Sequence, residues 1–316
     1  MLEYVAKRTA IAVFVVFATS ALTFLLLSLI PGDTAVMIIQ RVFVGDVTYN
    51  PSRMEIKAAE EMFQLGNPLW MQYLHWLSNA LHGDLGVSYI SGRGVLGEIL
   101  VRLPATVELA ITATILSLLV AIPLGVISAA KQNSKFDYSS MALATFFISM
   151  PNFWLGLILI LIFSLHLDLL PVSGYGGIEH LVLPAITLCA GMMSVTLRLT
   201  RSSVLEVLRL DYITTAKAKG MDEKRILYRH VLKNAMIPVI TIVGLQLGYL
   251  LGGTVIVETI FAWPGIGKLL IDSINARDIP MIQGCVVFIA IVFSLVNMLV
   301  DLSYYFLDPR IKYDEV

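Results

Sequence analysis

Long uncharged apolar windows alternate with shorter polar stretches along this chain, and their lengths predict membrane-crossing helices. An α-helix rises about 1.5 Å per residue and needs roughly 20 apolar residues to cross about 30 Å of hydrocarbon. Six windows meet that requirement: Ile11–Ile30, Leu109–Ala130, Ser139–Leu165, Leu181–Leu197, Ala235–Val257 and Met281–Val300. The fourth is the shortest and is read as extending to Arg198, whose long side chain reaches back to the interface. The apolar–polar alternation of barrel strands is absent, and backbone groups in lipid must be satisfied within the segment. The predicted fold class is therefore all-α, a polytopic membrane protein with six transmembrane helices.

Lys7 and Arg8 precede the first window, as in a signal peptide, but the window is too long for a signal core and no small-x-small site closes it. It is read as a retained span. Orientation follows from Lys and Arg in the connecting segments. With the N-terminus cytoplasmic, the cytoplasmic side carries 14 of them and the opposite side seven, Arg198 lying at a helix end. Both termini are expected in the cytoplasm.

Composition agrees with a bilayer protein. Of 316 residues, 57% are apolar and 14% charged, and the mean hydropathy is +0.81, more apolar surface than a water-soluble core of this size would bury. The 22 Lys and Arg against 23 Asp and Glu provide no basic field for nucleic acid. Cys189 and Cys285 fall inside apolar windows, where a thiol acts as a small packing residue, so neither disulfide nor metal cluster is expected.

The windows divide the chain into residues 1–30 with the first span, an extracytoplasmic segment 31–103, a five-helix core 104–307 containing a polar loop 201–234, and a tail 308–316. Segment 31–103 holds the aromatic run Trp70 to Trp76 and the turn-prone Gly83-Asp-Leu-Gly86 and Ser91-Gly-Arg-Gly94. It predicts short helices and turns on the membrane surface with tryptophans at headgroup level. Loop 201–234 predicts two helices hinged at Gly220, because glycine ends a helix in the left-handed conformation without steric cost. Lys217 and Lys219 suit the end of the first helix, Asp222 and Glu223 the start of the second, and Arg229 and Lys233 its end. By composition alone the loop is only a basic anchor that fixes topology.

Residue order adds to that reading. The loop resembles the cytoplasmic loop of bacterial ABC-importer permeases, whose pattern runs Glu-Ala-Ala, three residues, Gly, nine residues, then Ile-x-Leu-Pro. Thr214-Thr215-Ala216 stands for the first element and His230-Val231-Leu232-Lys233 for the last, so only Ala216, Gly220 and Leu232 match. The departures resemble the variant of the dipeptide, oligopeptide and nickel permeases. That resemblance runs through Pro31-Gly32-Asp33, Gln72-Tyr73 with Trp76, Gly83 to Gly86, Arg102 to Thr106, and Ser149-Met150-Pro151. It continues through Leu170 to Gly174, Asp211-Tyr212, Ala216-Lys217-Ala218-Lys219-Gly220, Val257 to Phe261, Pro264 to Gly267, Arg277-Asp278 with Pro280, and Asp308 to Ile311.

The resemblance implies a type I ABC-importer permease in the bacterial or archaeal inner membrane. Its partners would be a second homologous permease, two cytoplasmic ATPase subunits, an extracytoplasmic substrate-binding protein and the lipid bilayer, with no nucleic acid. Asp211, Tyr212, Thr215, Ala216, Lys217, Ala218, Gly220, Asp222, Arg229 and His230 would form the loop that couples to the ATPase. ATP and Mg would be used by the ATPase partners, and this chain would bind no cofactor. Its Gly265-Ile-Gly-Lys268 is no phosphate-binding loop, since Leu269 replaces the required Ser or Thr and Ala262 the first Gly.

Gly244, Gly248 and Gly252 recur every four residues on one face of the fifth span. They permit close approach of a helix from the second permease or, equally, relieve crowding inside this chain. Glu108, Glu258 and Asp301 lie near span ends and read as structural groups. Five histidines raise nickel binding, but none has a ligand signature, so neither metal-ligating nor catalytic residues are assigned. An intramembrane enzyme lacks its paired catalytic groups here, and a secondary transporter lacks inverted repeats or an acidic coupling residue beside Pro123, Pro151 and Pro184. Short peptides and chelated nickel both fit, with Ser149 to Leu155 and Gly174 to Gly177 leaning toward nickel-type members.

Overall fold

In a computed structural model, residues 2–29, 34–46, 48–63 and 65–307 are described, and no strand occurs among them. Pro31-Gly32-Asp33 and residues 308–316 lie outside the described residues. Among the described residues five helices are long and apolar enough to cross a membrane, and a bent helix pair makes six if it is counted as one broken span. By contacts the chain divides into two compact units, Met1–Thr106 with Pro264–Ser294 and Val107–Trp263 with Leu295–Val316.

The first unit begins with α1 (Leu2–Ser28). Then come α2 (Thr34–Ile38), extended by a π-helical segment Ile39–Val44, α3 (Arg53–Met62) and α4 (Leu69–Leu81). Ser52 and Glu55 close a reciprocal capping box that starts α3, each side chain accepting from the other's backbone N–H. Only 6% of the apolar window of α1 is buried, as expected of a helix whose surface is left to lipid. Its partner is α4, through a 2.8 Å hydrogen bond between the Ser20 and Tyr73 hydroxyls and ring contacts of Phe17 and Phe24 with Tyr73.

The core of this unit joins the start of α5 (Val95–Ala130) to α13 (Ile266–Ala276) and the start of α14 (Ile279–Leu307). Val95, Ile99, Ile266, Leu269, Met281 and Cys285 pack together there. At 36 residues α5 is about 54 Å long, more than the hydrocarbon requires, which lets the ion pair of Arg102 with Glu98 (2.5 Å) occupy its first turns. Asp278 locks the preceding turn. It accepts from the Ser88 hydroxyl at 2.5 Å and from the Tyr89 N–H at 3.0 Å. Burial, and then the nearby Asp278 carboxylate, push the Tyr89 phenol up to about 12, so it stays neutral at physiological pH.

The second unit contains the remainder of α5, α6 (Lys135–Ile148) and α7 (Asn152–Leu159), the last continued by a π-helical segment Ile160–His166. The third apolar window is not one straight helix as predicted. It bends by 100° at Ser149-Met150-Pro151, because Pro151 lacks the N–H that would continue α6 and instead occupies the N-cap of α7.

Next come α8 (Ile178–Leu208), α9 (Asp211–Ala218), α10 (Glu223–Ile226) and a π-helical turn Leu227–Val231. These lead into α11 (Leu232–Gly253) and α12 (Val255–Ile260). The window of α8 is 67% buried, making it the central helix of the unit. Ala121, Ala144, Cys189, Met193 and Leu197 form a core on one side of it.

Small residues set the helix separations. A Cβ on Gly125 would lie 2.7 Å from Thr200 Cβ and 3.0 Å from the Leu197 carbonyl oxygen, so α5 and α8 approach almost backbone to backbone. Gly244 and Gly248 face α14, where added Cβ atoms would meet Val300 and, at 3.3 Å, Val296. Gly252 is in the same helix. Tyr175 stacks edge-on against Trp263 with centroids 4.8 Å apart and donates to Glu108 at 3.1 Å, giving that span-end carboxylate a partner. Glu258 is fully buried and accepts from the Thr254 hydroxyl at 2.8 Å.

Gly125→Val is expected to destabilise the protein by about 1–3 kcal/mol through overpacking against α8. Gly97→Val, where a Cβ meets open space, is expected to have little effect. Thermal unfolding of both variants in detergent checks the contrast.

Candidate functional site

The segment between α8 and α11 differs from its predicted form at both ends. The helix leading to Gly220 is not continuous from Arg201: α8 runs on to Leu208, and the chain breaks at Arg209-Leu210 before α9. The fourth span is thus longer than its apolar window. Its polar residues are accommodated because their hydroxyls bond back along the helix, as Thr200 does to the Thr196 carbonyl at 2.7 Å. At the other end the predicted helix does not stop near Lys233. It passes through the π-helical turn directly into α11, so Arg229 and Lys233 lie within a continuing run. Pro238 sits inside α11 without ending it.

Between those ends the hinge stands where glycine was expected. Gly220 has φ of +76°, and Lys217 lies in the last turn of α9. Asp222 occupies the N-cap position of α10, but its side chain makes no capping hydrogen bond. Apolar residues hold the hairpin down. Ile213, Ile226, Val231 and Ala235 pack with Ala129 of α5 and Val204 and Val207 of α8, and Ala216 and Met221 join them at the edge. The hairpin therefore sits on three helix ends at once.

Its opposite face is polar. Asp211, Tyr212, Thr215, Lys217, Ala218, Gly220, Asp222 and Arg229 are exposed, whereas Ala216 and His230 are half-buried. A cross-link stiffens the arrangement. Asn234 Nδ2 donates to the Tyr212 hydroxyl at 2.8 Å and to the His230 carbonyl at 3.2 Å, tying α9 to the first turn of α11. Asn234 was not among the residues singled out from sequence.

Neither was the strongest polar contact below the hairpin. Asp137, near the start of α6, is buried and takes a bidentate ion pair from Arg201 of α8, with Nε to Oδ1 at 2.5 Å and Nη2 to Oδ2 at 2.7 Å. The Ser128 hydroxyl donates to Oδ1 at 2.5 Å and the Asn133 N–H to Oδ2 at 2.9 Å. Asn133 itself has φ of +63°, a conformation Asn tolerates better than most residues. Four donors on one carboxylate fasten α5, α6 and α8 together just before α9 begins.

Among the described residues, no three His, Cys, Asp or Glu side chains gather as a metal site. His180 packs beneath Gly174, where a Cβ would lie 3.2 Å from its ring. Lys268, in the Gly265-to-Lys268 stretch, pairs with Asp272 at 2.5 Å on α13. The hairpin is thus a polar knob on a packed apolar base.

Asp137→Ala leaves the Arg201 guanidinium without its carboxylate and is expected to cost about 3–5 kcal/mol of stability, with membrane insertion retained. Asp137→Leu combined with Arg201→Met is expected to cost less than the sum of the single variants. Denaturation in detergent of the singles and the double measures the coupling.

Comparison with known proteins places this geometry. Residues 121–313 match the family described as binding-protein-dependent transport system inner membrane component, and residues 1–110 match its N-terminal companion. The chain is 39% identical to the dipeptide transport system permease protein DppB of Escherichia coli K12, over 99% of each sequence. It is 40% identical to the glutathione transport system permease protein GsiC of the same strain, covering 99% of this chain and 100% of the relative. Among solved structures, the MetNI methionine ABC transporter in inward-facing form aligns with a TM-score of 0.57 at 18% identity, over 66% of this chain and 96% of that one. An amino acid ABC transporter aligns at 0.52 with 14% identity, over 66% and 94%. These share the fold. With the family matched over most of the chain and relatives aligned along nearly all of it, this protein belongs to the binding-protein-dependent transport system inner-membrane components, the multi-pass permease subunits of bacterial ABC importers, in which separate subunits hydrolyse ATP.

Proposed function

We propose that this chain pairs with a second, homologous permease to form the translocation path for short peptides, with both termini in the cytoplasm. In this reading the exposed face of α9 and α10 docks on one of two ATPase subunits, which bind ATP and Mg, and a substrate-binding protein delivers the peptide on the opposite side. Peptides rather than nickel are favoured because the relatives are named for dipeptide and glutathione transport.

One observation carries the coupling role: a polar, exposed hairpin is bedded by apolar side chains on the ends of α5, α8 and α11. A push on such a hairpin cannot be absorbed locally, because Ile213 and Ile226 would have to leave their packing. It is passed to the spans, which then rearrange between inward- and outward-facing states.

Gly220 supplies the test. Nothing lies within 4 Å of a Cβ placed there, so a substitution meets no steric neighbour and acts through the backbone alone. Gly220→Val places a β-branched residue in the left-handed region at a cost of about 1–2 kcal/mol. It is expected to lower ATP-driven uptake of a labelled dipeptide in proteoliposomes several-fold while ATP hydrolysis continues. Gly220→Asn, which tolerates that conformation, is expected to keep most uptake. Wild-type uptake by the valine variant contradicts the coupling role, and absence of dipeptide uptake by the native assembly contradicts the substrate assignment.

A further inference from the structure

The first unit contains a cavity of about 830 Å³, within the range of small-molecule sites. It is lined by Phe24, Leu27 and Ser28 near the C-terminal end of α1, by apolar and polar residues of α3 and α4, by the turn at residues 85–89 and by the start of α14. Two buried polar atoms in its lining side chains have no hydrogen-bond partner among the described residues: the Trp76 indole Nε1 and the Gln283 amide Nε2. Gln283 is only 3% exposed. Leaving a donor unsatisfied there costs about 1–3 kcal/mol, so two in one place mark a site whose acceptor comes from elsewhere.

Depth and charge identify the ligand. The surface of α1 is almost wholly free, and the C-terminal end of this span borders the cavity, at the level where hydrocarbon gives way to headgroups. α4 agrees with that level, for it exposes Trp70, Leu74 and Leu81 as an interfacial helix does. Among the described lining residues Glu60 is the single carboxylate and His75 the single histidine, and no Lys or Arg accompanies them. An anionic headgroup finds no permanent cation there, whereas an ammonium finds Glu60.

We propose that this cavity binds a zwitterionic phospholipid of the ethanolamine type. The ammonium pairs with Glu60, phosphate or ester oxygens accept from Trp76 Nε1 and Gln283 Nε2 after a small side-chain rotation, and an acyl chain follows Phe24 and Leu27 into the bilayer. Bound in this way, the lipid braces α1 and α4 against the start of α14.

The test uses the full-length chain, purified in mild detergent with the subunits that accompany it, stripped of lipid and then given one lipid at a time. Phosphatidylethanolamine is expected to raise the unfolding midpoint by about 3 °C or more, and phosphatidylglycerol at the same concentration is not. Glu60→Gln is expected to abolish the preference, and Trp76→Phe and Gln283→Leu each to reduce the shift. Glu60→Gln changes one partly exposed oxygen to nitrogen, so it remains informative if a core variant fails to fold. Equal shifts with both lipids, unchanged in the variants, indicate bulk lipid only and overturn the proposal. A shift produced instead by dialanine and lost in Gln283→Leu also overturns it, making the cavity a peptide subsite.

Discussion

A carboxylate withdrawn from water has to be matched donor for donor, and Asp137 is the point where the second unit meets that demand. Arg201 supplies two donors, Ser128 a third and the Asn133 backbone a fourth. Each comes from a different part of the chain, so satisfying one side chain fixes the relative positions of α5, α6 and α8. A buried ion pair of this kind contributes little net stability compared with apolar packing of the same volume, but breaking it by removing one partner is costly. The contact thus selects one arrangement of three helix ends. The hairpin of α9 and α10 depends on it, because that hairpin is seated on two of those ends, α5 and α8, together with the start of α11.

Packing carries the arrangement along the spans. Gly125 lets α5 lie nearly against the backbone of α8, and Gly244 and Gly248 make room on α11 for the Val300 and Val296 side chains of α14. Close contact matters in a bilayer, where apolar side chains gain nothing by leaving lipid for protein and association rests on van der Waals fit and hydrogen bonds. In the first unit Asp278 has the comparable role, joining the turn at Ser88 and Tyr89 to the start of α14. Each unit is therefore pinned by a buried carboxylate that bonds to segments distant in sequence.

Much of this was legible in the sequence, and what was not has physical reasons. Window length located every span, since hydrocarbon thickness sets it, and Gly220 announced the hinge because a left-handed residue there strongly favours glycine. The full extent of α8 was hidden: Arg198, Arg201 and Arg209 resemble a loop until Thr200 is seen bonding back along the helix and Arg201 is seen neutralised. Proline can break a helix, as at Pro151, but a 100° bend depends on what receives the turned helix, and Phe261 lying against Gly156 is a long-range fact. Asp137 left only a faint signal, a Ser134-x-x-Asp137 helix start that explains its backbone N–H and not its carboxylate. Asn234 left none, because its partner Tyr212 lies across the hinge.

The central claim is that the exposed face of α9 and α10 is where the ATPase acts on this chain. Site-specific photocrosslinking from Ala218, exposed on that face, tests it most directly, with Leu119, exposed within the apolar window of α5, as the control. The account predicts an adduct between position 218 and the ATPase subunit whose yield changes between ATP-bound and nucleotide-free states, and none from position 119. Adducts from position 218 that contain only lipid, or that never include an ATPase subunit in the transport-active assembly, would contradict it.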